Sequence, residues 1–481
     1  MIKHIKHICA VFLTFAAAHS GTGKDVYISS STGNDKNDGS ISAPLRTIAA
    51  APKDGVNVFL KRGDVFFEPL EGFKNSKIGA YGKGKKPLLC GLKILKNNGA
   101  WEKLPDGVWR LDLTKQQNFG GYKAYGVQNN IGAVYDTEND RIYGCLTRTY
   151  KGMRDPADFW VSDADANEVK PKDNKFTHLF FKCSTHPSEL AGKIAFLPYN
   201  FGIRGIRNCT VQNIAVKGFG AHGISKAWNS KFVGIDIDLI GGSLLRSYKS
   251  WVRFGNGIEF WMEEKDPCND NLVEGCTISR TFDCGSTIQG NLGKNSRPKN
   301  IVFRGNKFLR CRQAFEHWTG TPHETSVYEN CEFSDNLAFD SGFNEFDTPY
   351  NVDSSLLSYE RKPISGLTIK NNVCWGAPVY YSSGNHPAKL SGNIFYTFKD
   401  TYLYGSGRKD VVVNAESEAD IPKLKAALKN ETDTVFLVDR NDSKTRAEII
   451  DKYFGEMKEL IAERDKKRPR DYYQRKLFQK R

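Results

Sequence analysis

A five-residue pattern that ends in Glu-x-Trp occurs twice in this chain of 481 residues. Residues 257–261 read Gly-Ile-Glu-Phe-Trp and residues 314–318 read Ala-Phe-Glu-His-Trp. Between them, residues 285–289 (Gly-Ser-Thr-Ile-Gln) fit the same frame, with Thr and Gln where the other copies have Glu and Trp. Because no helical periodicity lies inside the repeated unit, the pattern predicts a solenoid in which each unit is one coil of β-structure.

A second recurring pattern has Gly or Asn first, Cys or Asn second, and an apolar residue at its end. It occurs at residues 275–278, 305–308 and 330–333. We interpret the alternation of Cys with Asn as one interior turn position that stacks from coil to coil, with reduced, buried thiols. We therefore expect few or no disulfides, and the absence of Cys-x-x-Cys excludes a zinc ribbon. The residues assigned to this position are Cys209, Cys276, Cys331, Asn306, Asn372 and Asn393.

The N-terminal part contains more specific motifs. Residues 33–39 (Gly-Asn-Asp-Lys-Asn-Asp-Gly) lead to residues 43–48 (Ala-Pro-Leu-Arg-Thr-Ile), and residues 61–64 read Lys-Arg-Gly-Asp. These motifs resemble those of the pectate-lyase-like superfamily of secreted carbohydrate-active proteins. The resemblance covers roughly residues 25–90 and 200–400, and it implies a right-handed parallel β-helix. It does not imply one reaction, because lyases, hydrolases, epimerases and adhesins share this scaffold.

The sequence also indicates how the chain is divided. Two lysines followed by a short apolar run that ends in Ala-Ala-Ala predict a signal peptide, and the run is too short to span a bilayer. We therefore expect a secreted or periplasmic, all-β, right-handed parallel β-helix with a β-rich insertion and a C-terminal helical cap. The expected segments are 1–18 (signal peptide), 25–92 (N-terminal cap and first coils), 93–200 (insertion), 201–400 (main β-helix with its groove) and 401–481 (C-terminal strand, helix and basic tail).

Residues 443–464 have one apolar stripe, which predicts an amphipathic helix, and Thr445 and Glu448 have capping-box spacing at its start. We expect this helix to cover the open edge of the last coil. The net charge of +14 comes largely from residues 464–481, which have nine Lys or Arg and two Asp. No basic motif interleaved with aromatic residues accompanies them, so we expect a solvated tail and no nucleic-acid partner.

Alternate side chains of a strand share a face, so if Ile258 and Phe260 point inward, Glu259 and Trp261 point outward. Stacked coils then give one column of Glu259, Thr287 and Glu316 and another of Trp261, Gln289 and Trp318. The same alternation places His317 inward. Two coils separate the two glutamates by ~9.6 Å at the backbone, and inverting glycosidases hold their acid and base roughly 6.5–9.5 Å apart.

These columns predict a glycoside hydrolase that acts on a polysaccharide as a monomer and requires no cofactor. Glu259 and Glu316 are the candidate acid and base, and Asp283 is a third candidate carboxylate of the groove. Outward tryptophan rings offer flat apolar faces to a sugar. The candidate substrate-binding residues are Trp261, Trp318, Gln289, Lys226, His222 and Arg253.

Two alternatives remain open from the sequence. A lyase that cleaves a uronate-containing glycan by β-elimination would need a base and a group that neutralises the carboxylate. His222, Lys226, Arg246, Lys249, Arg253 and Arg280 are available for those roles. Some relatives in the superfamily use Ca²⁺, but Asp236 and Asp238 are too few for a protein-only calcium cage. The other alternative is a glycan-binding β-helix without activity, since outward glutamates on such a scaffold are often only solvated.

Overall fold

The computed structural model describes residues 23–466 with internal gaps. The gaps are residues 96–100, 116–129, 145, 154–157, 168–175, 246–251, 293–296, 321–326, 343–344, 347–353, 359–364, 377–379, 383–387, 400–401, 407–411, 415–416 and 429–431. The expected signal peptide, Arg246, Lys249 and residues 467–481 lie outside the described residues.

The described residues form a parallel β-helix in which each coil contributes a strand to sheet 1, then sheet 2, then sheet 3. Sheet 1 contains β1 (Asp25–Ile28), β2 (Asn57–Lys61), β5 (Lys77–Tyr81), β16 (Thr210–Gln212), β19 (Lys231–Val233), β22 (Asn271–Glu274), β25 (Ile301–Arg304), β28 (Cys331–Ser334), β31 (Leu367–Lys370) and β34 (Lys389–Ser391). Its neighbouring strands are parallel and in register, as in the pair β22 and β25.

Sheets 2 and 3 follow the same order. Sheet 2 contains β3 (Val65–Phe66), β6 (Leu88–Cys90), β17 (Ala215–Lys217), β20 (Asp236–Ile240), β23 (Thr277–Thr281), β26 (Lys307–Leu309), β29 (Leu337–Ser341), β32 (Val373–Gly376), β35 (Ile394–Phe398) and β38 (Thr434–Val438). Sheet 3 contains β4 (Leu70–Glu71), β15 (Ile203–Arg207), β18 (Ile224–Trp228), β21 (Ile258–Glu263), β24 (Cys284–Asn291), β27 (Gln313–Thr319), β30 (Leu356–Ser358), β33 (Tyr380–Ser382), β36 (Tyr402–Ser406) and the antiparallel β37 (Val412–Asn414).

The interior of the coils is apolar because every second strand residue points inward. Ile258 and Phe260 of β21 are fully buried there, as predicted. Aromatic rings stack from sheet to sheet across this core, and the centroids of Phe315 and Phe333 are 4.5 Å apart. This packing fixes which residues of sheet 3 face outward.

Two turns of each coil contain the same local sequence, and this corrects the predicted Cys/Asn position. Cys209 and Cys331 occupy the same position before sheet 1 in different coils, whereas Cys276 lies in the turn before sheet 2. In both turns a residue with a left-handed backbone, such as Gly275 with a φ of 62°, precedes the inward residue. The prediction that the three cysteines share one position was therefore wrong, although all three are buried. The amide ladder belongs to the turn before sheet 2, where the stacked residues are Asn306, Asn336, Asn372, Asn393 and Asp433.

Residues 93–198 contain two four-stranded antiparallel sheets. Their strands are β7 (Lys93–Ile94), β8 (Trp101–Lys103), β9 (Val108–Asp112), β10 (Ile131–Asp136), β11 (Arg141–Gly144), β12 (Phe159–Ser162), β13 (His178–Lys182) and β14 (Ile194–Pro198). One apolar face, with Ala133 and Leu197, packs against Leu239 and Phe282 on the outside of sheet 2. The insertion is therefore held beside the turn that leads from sheet 2 to β24.

The described residues of the C-terminal part form three α-helices, α1 (Ile421–Leu428), α2 (Ser443–Tyr453) and α3 (Lys458–Lys466). The predicted helix over 443–464 is interrupted after Tyr453 by a short 3-10 turn, and its N-cap is Asp442, which accepts from the backbone N–H groups of Lys444 and Thr445. Thr445 was therefore wrong as the cap. No helix among the described residues is long and apolar enough to cross a bilayer.

The apolar stripe of α2 and α3 packs along the outside of sheet 2, from β26 to β38. The prediction that this stretch covers the edge of the last coil was wrong, because sheet 2 has large outward apolar side chains that need cover. The residues in this contact are Leu309, Phe339, Trp375, Tyr396, Phe398, Val438, Ile449, Ile450, Phe454, Met457 and Ile461.

A buried cluster of charges joins the insertion, sheet 2 and α3. Arg280 is fully buried and donates to Asp238 Oδ1 at 2.8 Å and to Asp140 Oδ1 at 3.0 Å. Arg464 contacts both carboxylates, and Lys217 lies 3.3 Å from Asp140. Burial opposes ionisation of Asp140 and Asp238, but the surrounding arginines and lysine hold the pKa of each carboxyl well below its usual range.

This cluster corrects the predicted solvated tail. Arg464 is only 6% exposed, and its neighbour Asp465 accepts from Arg310 at 3.2 Å. The solvated stretch can therefore begin only after α3. The cluster also occupies Asp238, and Asp236 lies 2.8 Å from Lys86, so neither carboxylate is left for a calcium ion.

Candidate active site

The two predicted columns of sheet 3 are confirmed by the strand register. Glu259 pairs with Thr287, which pairs with Glu316, and Gln289 lies in register between Trp261 and Trp318. Steric crowding explains the glycine that begins the first copy, because a Cβ on Gly257 would lie 2.5 Å from the carbonyl oxygen of Gly285 in the next coil. His317 is fully buried, as predicted.

Glu259 is 8% exposed, so it is not a solvated surface carboxylate. Its Oε2 accepts from Gln289 Nε2 at 2.7 Å and from Asn256 Nδ2 at 3.3 Å, and His222 Nε2 lies at 3.2 Å. The backbone N–H of Asn256 donates to His222 Nδ1, so the proton of the ring sits on Nε2. Three donors therefore converge on Oε2, which suits a carboxylate anion.

His222 acts here as a neutral donor. Burial is the main reason that the pKa of His222 is lowered, and it outweighs the opposing effect of Glu259. The ring also packs against Phe201 and Phe254, with centroids 5.7 and 5.1 Å away. His222 was predicted to bind substrate, and the structure places it behind Glu259 as a fixed hydrogen-bond donor.

Glu316 has the opposite environment. It is 5% exposed, and its Oε2 accepts a hydrogen bond from the Cys284 thiol at 3.0 Å. Burial raises the pKa of Glu316 to about 8, and the charges of Asp283 and Glu259 raise it further, while the thiol hydrogen bond opposes the shift. Glu316 is therefore protonated at neutral pH and can donate that proton.

Asp283 lies in the turn directly before β24. Asp283, Cys284 and Glu316 each offer one ligand atom, and these atoms lie within 4.8 Å of one another. Calcium takes six to eight oxygen ligands, and a thiol suits softer metals. This set of two carboxylates and a thiol does not fit the calcium ion that some members of the resembled superfamily use.

The two tryptophans form a tilted pair beside the carboxyl groups. The ring centroids of Trp261 and Trp318 are 5.8 Å apart, with 48° between the ring planes, and both rings are partly exposed. Gln289 lies in register between them and reaches Glu259. The pair thus offers an apolar surface next to Glu259.

The other basic candidates are engaged elsewhere. Lys226 forms an ion pair with Glu263 at the surface. Arg280 belongs to the buried cluster behind sheet 2. Arg253 is buried, with its Nε 2.6 Å from the carbonyl oxygen of Gly242 and its guanidinium over the ring of Phe282. Among the described basic residues that the lyase alternative named, Lys226, Arg253 and Arg280 are therefore held by other partners, and His222 lies beside Glu259.

Sequence reasoning missed Asn256 and Cys284. Asn256 donates to Glu259 and accepts from the backbone N–H of Cys284 at 3.2 Å, so it links the two halves of the site. A signal was present, because polar residues precede the small residue in all three copies of the pattern: Asn256, Cys284 and Gln313.

No protein-family model and no curated protein matches this chain. Similar solved structures include XylC in complex with xylose, at a TM-score of 0.45, 11% identity and coverage of 86% of this chain and 82% of that one. A glycoside hydrolase is similar at a TM-score of 0.41 and 10% identity, with coverage of 81% of this chain and 98% of that one. The alginate lyase from Paenibacillus sp. str. FPU-7 is similar at a TM-score of 0.29 and 10% identity, with coverage of 80% of this chain and 98% of that one. At these TM-scores the likenesses carry no argument about the reaction.

Proposed function

We propose that this protein hydrolyses a glycosidic bond of a polysaccharide, with Glu316 as the general acid and Glu259 as the general base. The observation that supports this is the contrast between two carboxyl groups on one column. Three donors hold Glu259 as an acceptor, whereas burial and neighbouring carboxylates keep Glu316 protonated. Acid–base hydrolysis needs one carboxyl group that is held as a proton acceptor and one that is held protonated.

The geometry favours inversion at the anomeric carbon. The two residues lie two coils apart, or ~9.6 Å at the backbone. Inverting glycosidases hold their two carboxyl groups roughly 6.5–9.5 Å apart, which leaves room for a water molecule between the base and the sugar, and a backbone spacing of ~9.6 Å lets two side chains that lean toward each other reach that separation. Glu316 gives its proton to the leaving oxygen, while Glu259 takes a proton from the water that attacks. Oε1 of Glu259 makes no hydrogen bond to the described residues and is available for this step.

The acid also sets the pH dependence. Because Glu316 must be protonated, kcat/KM should fall as the pH rises through about 8, the pKa of its carboxyl. This alkaline limit should disappear from the residual activity of a variant that lacks this carboxyl. We also propose that the protein is exported, is a monomer and needs no metal, so that a chelator leaves its activity unchanged.

The direct test replaces each carboxyl with an amide. Glu316→Gln and Glu259→Gln should each lower kcat by at least ~100-fold, the lower range for loss of a general acid or base. Glu274→Gln is the matched control, because Glu274 is exposed on sheet 1 and pairs with Arg304. Nuclear magnetic resonance of the first products from a glycan panel should show the inverted anomer and saturated sugars.

Two results would contradict the proposal. Unsaturated uronate ends, visible by their ultraviolet absorbance, would show β-elimination instead of hydrolysis. Full activity in both Gln variants would show that the column does not perform the reaction, and binding without turnover across the panel would favour the glycan-binding alternative.

A further inference from the structure

We propose that Cys284 is a positioning residue for Glu316, in that its thiol holds Oε2 and thereby fixes the orientation and the acid strength of this carboxyl group. This inference rests on the proposed function only for its consequence in catalysis. The contact itself is a property of the fold.

The geometry gives the thiol one preferred acceptor. Cys284 Sγ is 3.0 Å from Glu316 Oε2, against 3.5 Å from Gln313 Oε1 and 3.6 Å from Asp283 Oδ1. The backbone of Cys284 is itself fixed, because its N–H donates to Asn256 Oδ1. The thiol therefore holds Oε2 of Glu316 in place, and the Thr287 hydroxyl is the other side chain that lowers the pKa of this carboxyl by hydrogen bonding.

The thiol remains a donor over the working pH range. Burial raises the pKa of Cys284 far above its ordinary value, and the charges of Glu316 and Asp283 raise it further. A buried thiolate at this place would face the carboxylates of Glu316 and Asp283. Cys284 therefore stays protonated while Glu316 titrates.

A thiol is a weaker hydrogen-bond donor than a hydroxyl. S–H is a weak donor, so it stabilises the carboxylate form of Glu316 less than a serine hydroxyl would. A serine at residue 284 should therefore make Glu316 a stronger acid, and an alanine should make it a weaker one. This ordered series separates positioning from simple packing, because a packing defect has no reason to move the two variants in opposite directions.

The experiment titrates Glu316 without using activity. The infrared C=O band of the protonated carboxyl, assigned by its loss in Glu316→Gln, is followed against pH in the wild type, Cys284→Ser and Cys284→Ala. We expect the midpoint to fall by about one unit in the serine variant and to rise by about half a unit in the alanine variant. Cys311→Ser is the matched control, because Cys311 is equally buried but has its thiol near backbone carbonyls of sheet 2.

A second measurement needs no change at Cys284. The S–H stretching band should move to higher wavenumber in Glu316→Gln at a pH at which wild-type Glu316 is ionised, because the strongest acceptor has been lost. An unchanged S–H band overturns the inference, and so do equal titration midpoints of Glu316 in the serine and alanine variants. Either result does so even if Glu316 proves essential for turnover. If the titration midpoints of Glu316 differ between Cys284→Ser and Cys284→Ala but Glu316→Gln keeps full turnover, the inference is upheld and the proposed function is rejected.

Discussion

Replacement of Arg280 by methionine tests whether the buried charge cluster stabilises the fold. Arg280 has no solvent exposure and places its guanidinium on Asp238 and Asp140, whose side chains are 18% and 15% exposed. Removing one partner of a buried ion pair costs about 3–5 kcal/mol, because the remaining charge is left without compensation. Lys217 and Arg464 still face both carboxylates in the variant, so we expect the lower end, about 3 kcal/mol.

The control is an arginine with similar contact distances but open to water. Arg304 donates to Glu274 at 2.7 Å, and the two side chains are 44% and 41% exposed. Arg304→Met should cost only about 0–1 kcal/mol, since exposed pairs are screened by solvent. Urea denaturation followed by circular dichroism gives both free energies of unfolding. Equal losses in the two variants would refute the assignment of stability to the buried cluster.

The same cluster sets a pH dependence of stability. The pKa values of Asp140 and Asp238 are lowered in the folded protein, so their contribution is complete above the unfolded value of about 3.9. It is lost as the pH falls below that value, because the unfolded chain then takes up protons that the folded cluster excludes. The difference between wild type and Arg280→Met should therefore shrink progressively below about pH 4.

The remaining predictions concern the sugar surface, the C-terminus and the thiols. Trp261→Ala and Trp318→Ala should raise KM several-fold with little change in kcat, since they remove a stacking surface; a loss confined to kcat would contradict that role. Truncation after Lys466 should leave the melting temperature nearly unchanged, whereas truncation after Glu463 should lower it because Arg464 is lost, and equal effects would show that Arg464 contributes nothing. Thiol titration without reductant should find few reactive groups in the folded protein and most of the ten cysteines after residue 18 once it is unfolded; few thiols in the unfolded protein would show disulfides instead.

The sequence was sufficient to predict the columns of sheet 3 because two constraints act together on each copy. Ile258 and Phe260 must enter the core, which sends Glu259 and Trp261 outward. Gly257 must stay small because the next coil passes close to it, which fixes the axial register. Neither constraint distinguishes the two turns of a coil. Both turns contain a residue with a left-handed backbone followed by an inward polar residue. The sequence alone therefore could not assign Cys209 and Cys276 to different turns.

The chemical difference between the two glutamates could not be predicted from the repeat alone, because it comes from residues whose type changes from copy to copy, such as Asn256 and Cys284, and from His222, which lies outside the pattern. On the N-terminal side of Glu259 the chain supplies His222 and Asn256 as donors. The coil that precedes Glu316 supplies Asp283 and Cys284 instead, a negative charge and a weak donor. The same repeat position thus has different surroundings in the two copies, with hydrogen-bond donors around Glu259 and with a carboxylate and a thiol beside Glu316.

Stacking alone would place identical carboxyl groups in identical surroundings, and two such groups could not divide the roles of acid and base. Thr287, an uncharged residue, occupies the one coil that lies between the two carboxyl groups in the column. Leu357, the next residue of the column after Glu316, is apolar and buried and offers no donor to its carboxylate. In the proposed mechanism the acid therefore lies where the column becomes apolar, and the base lies where the column meets hydrogen-bond donors.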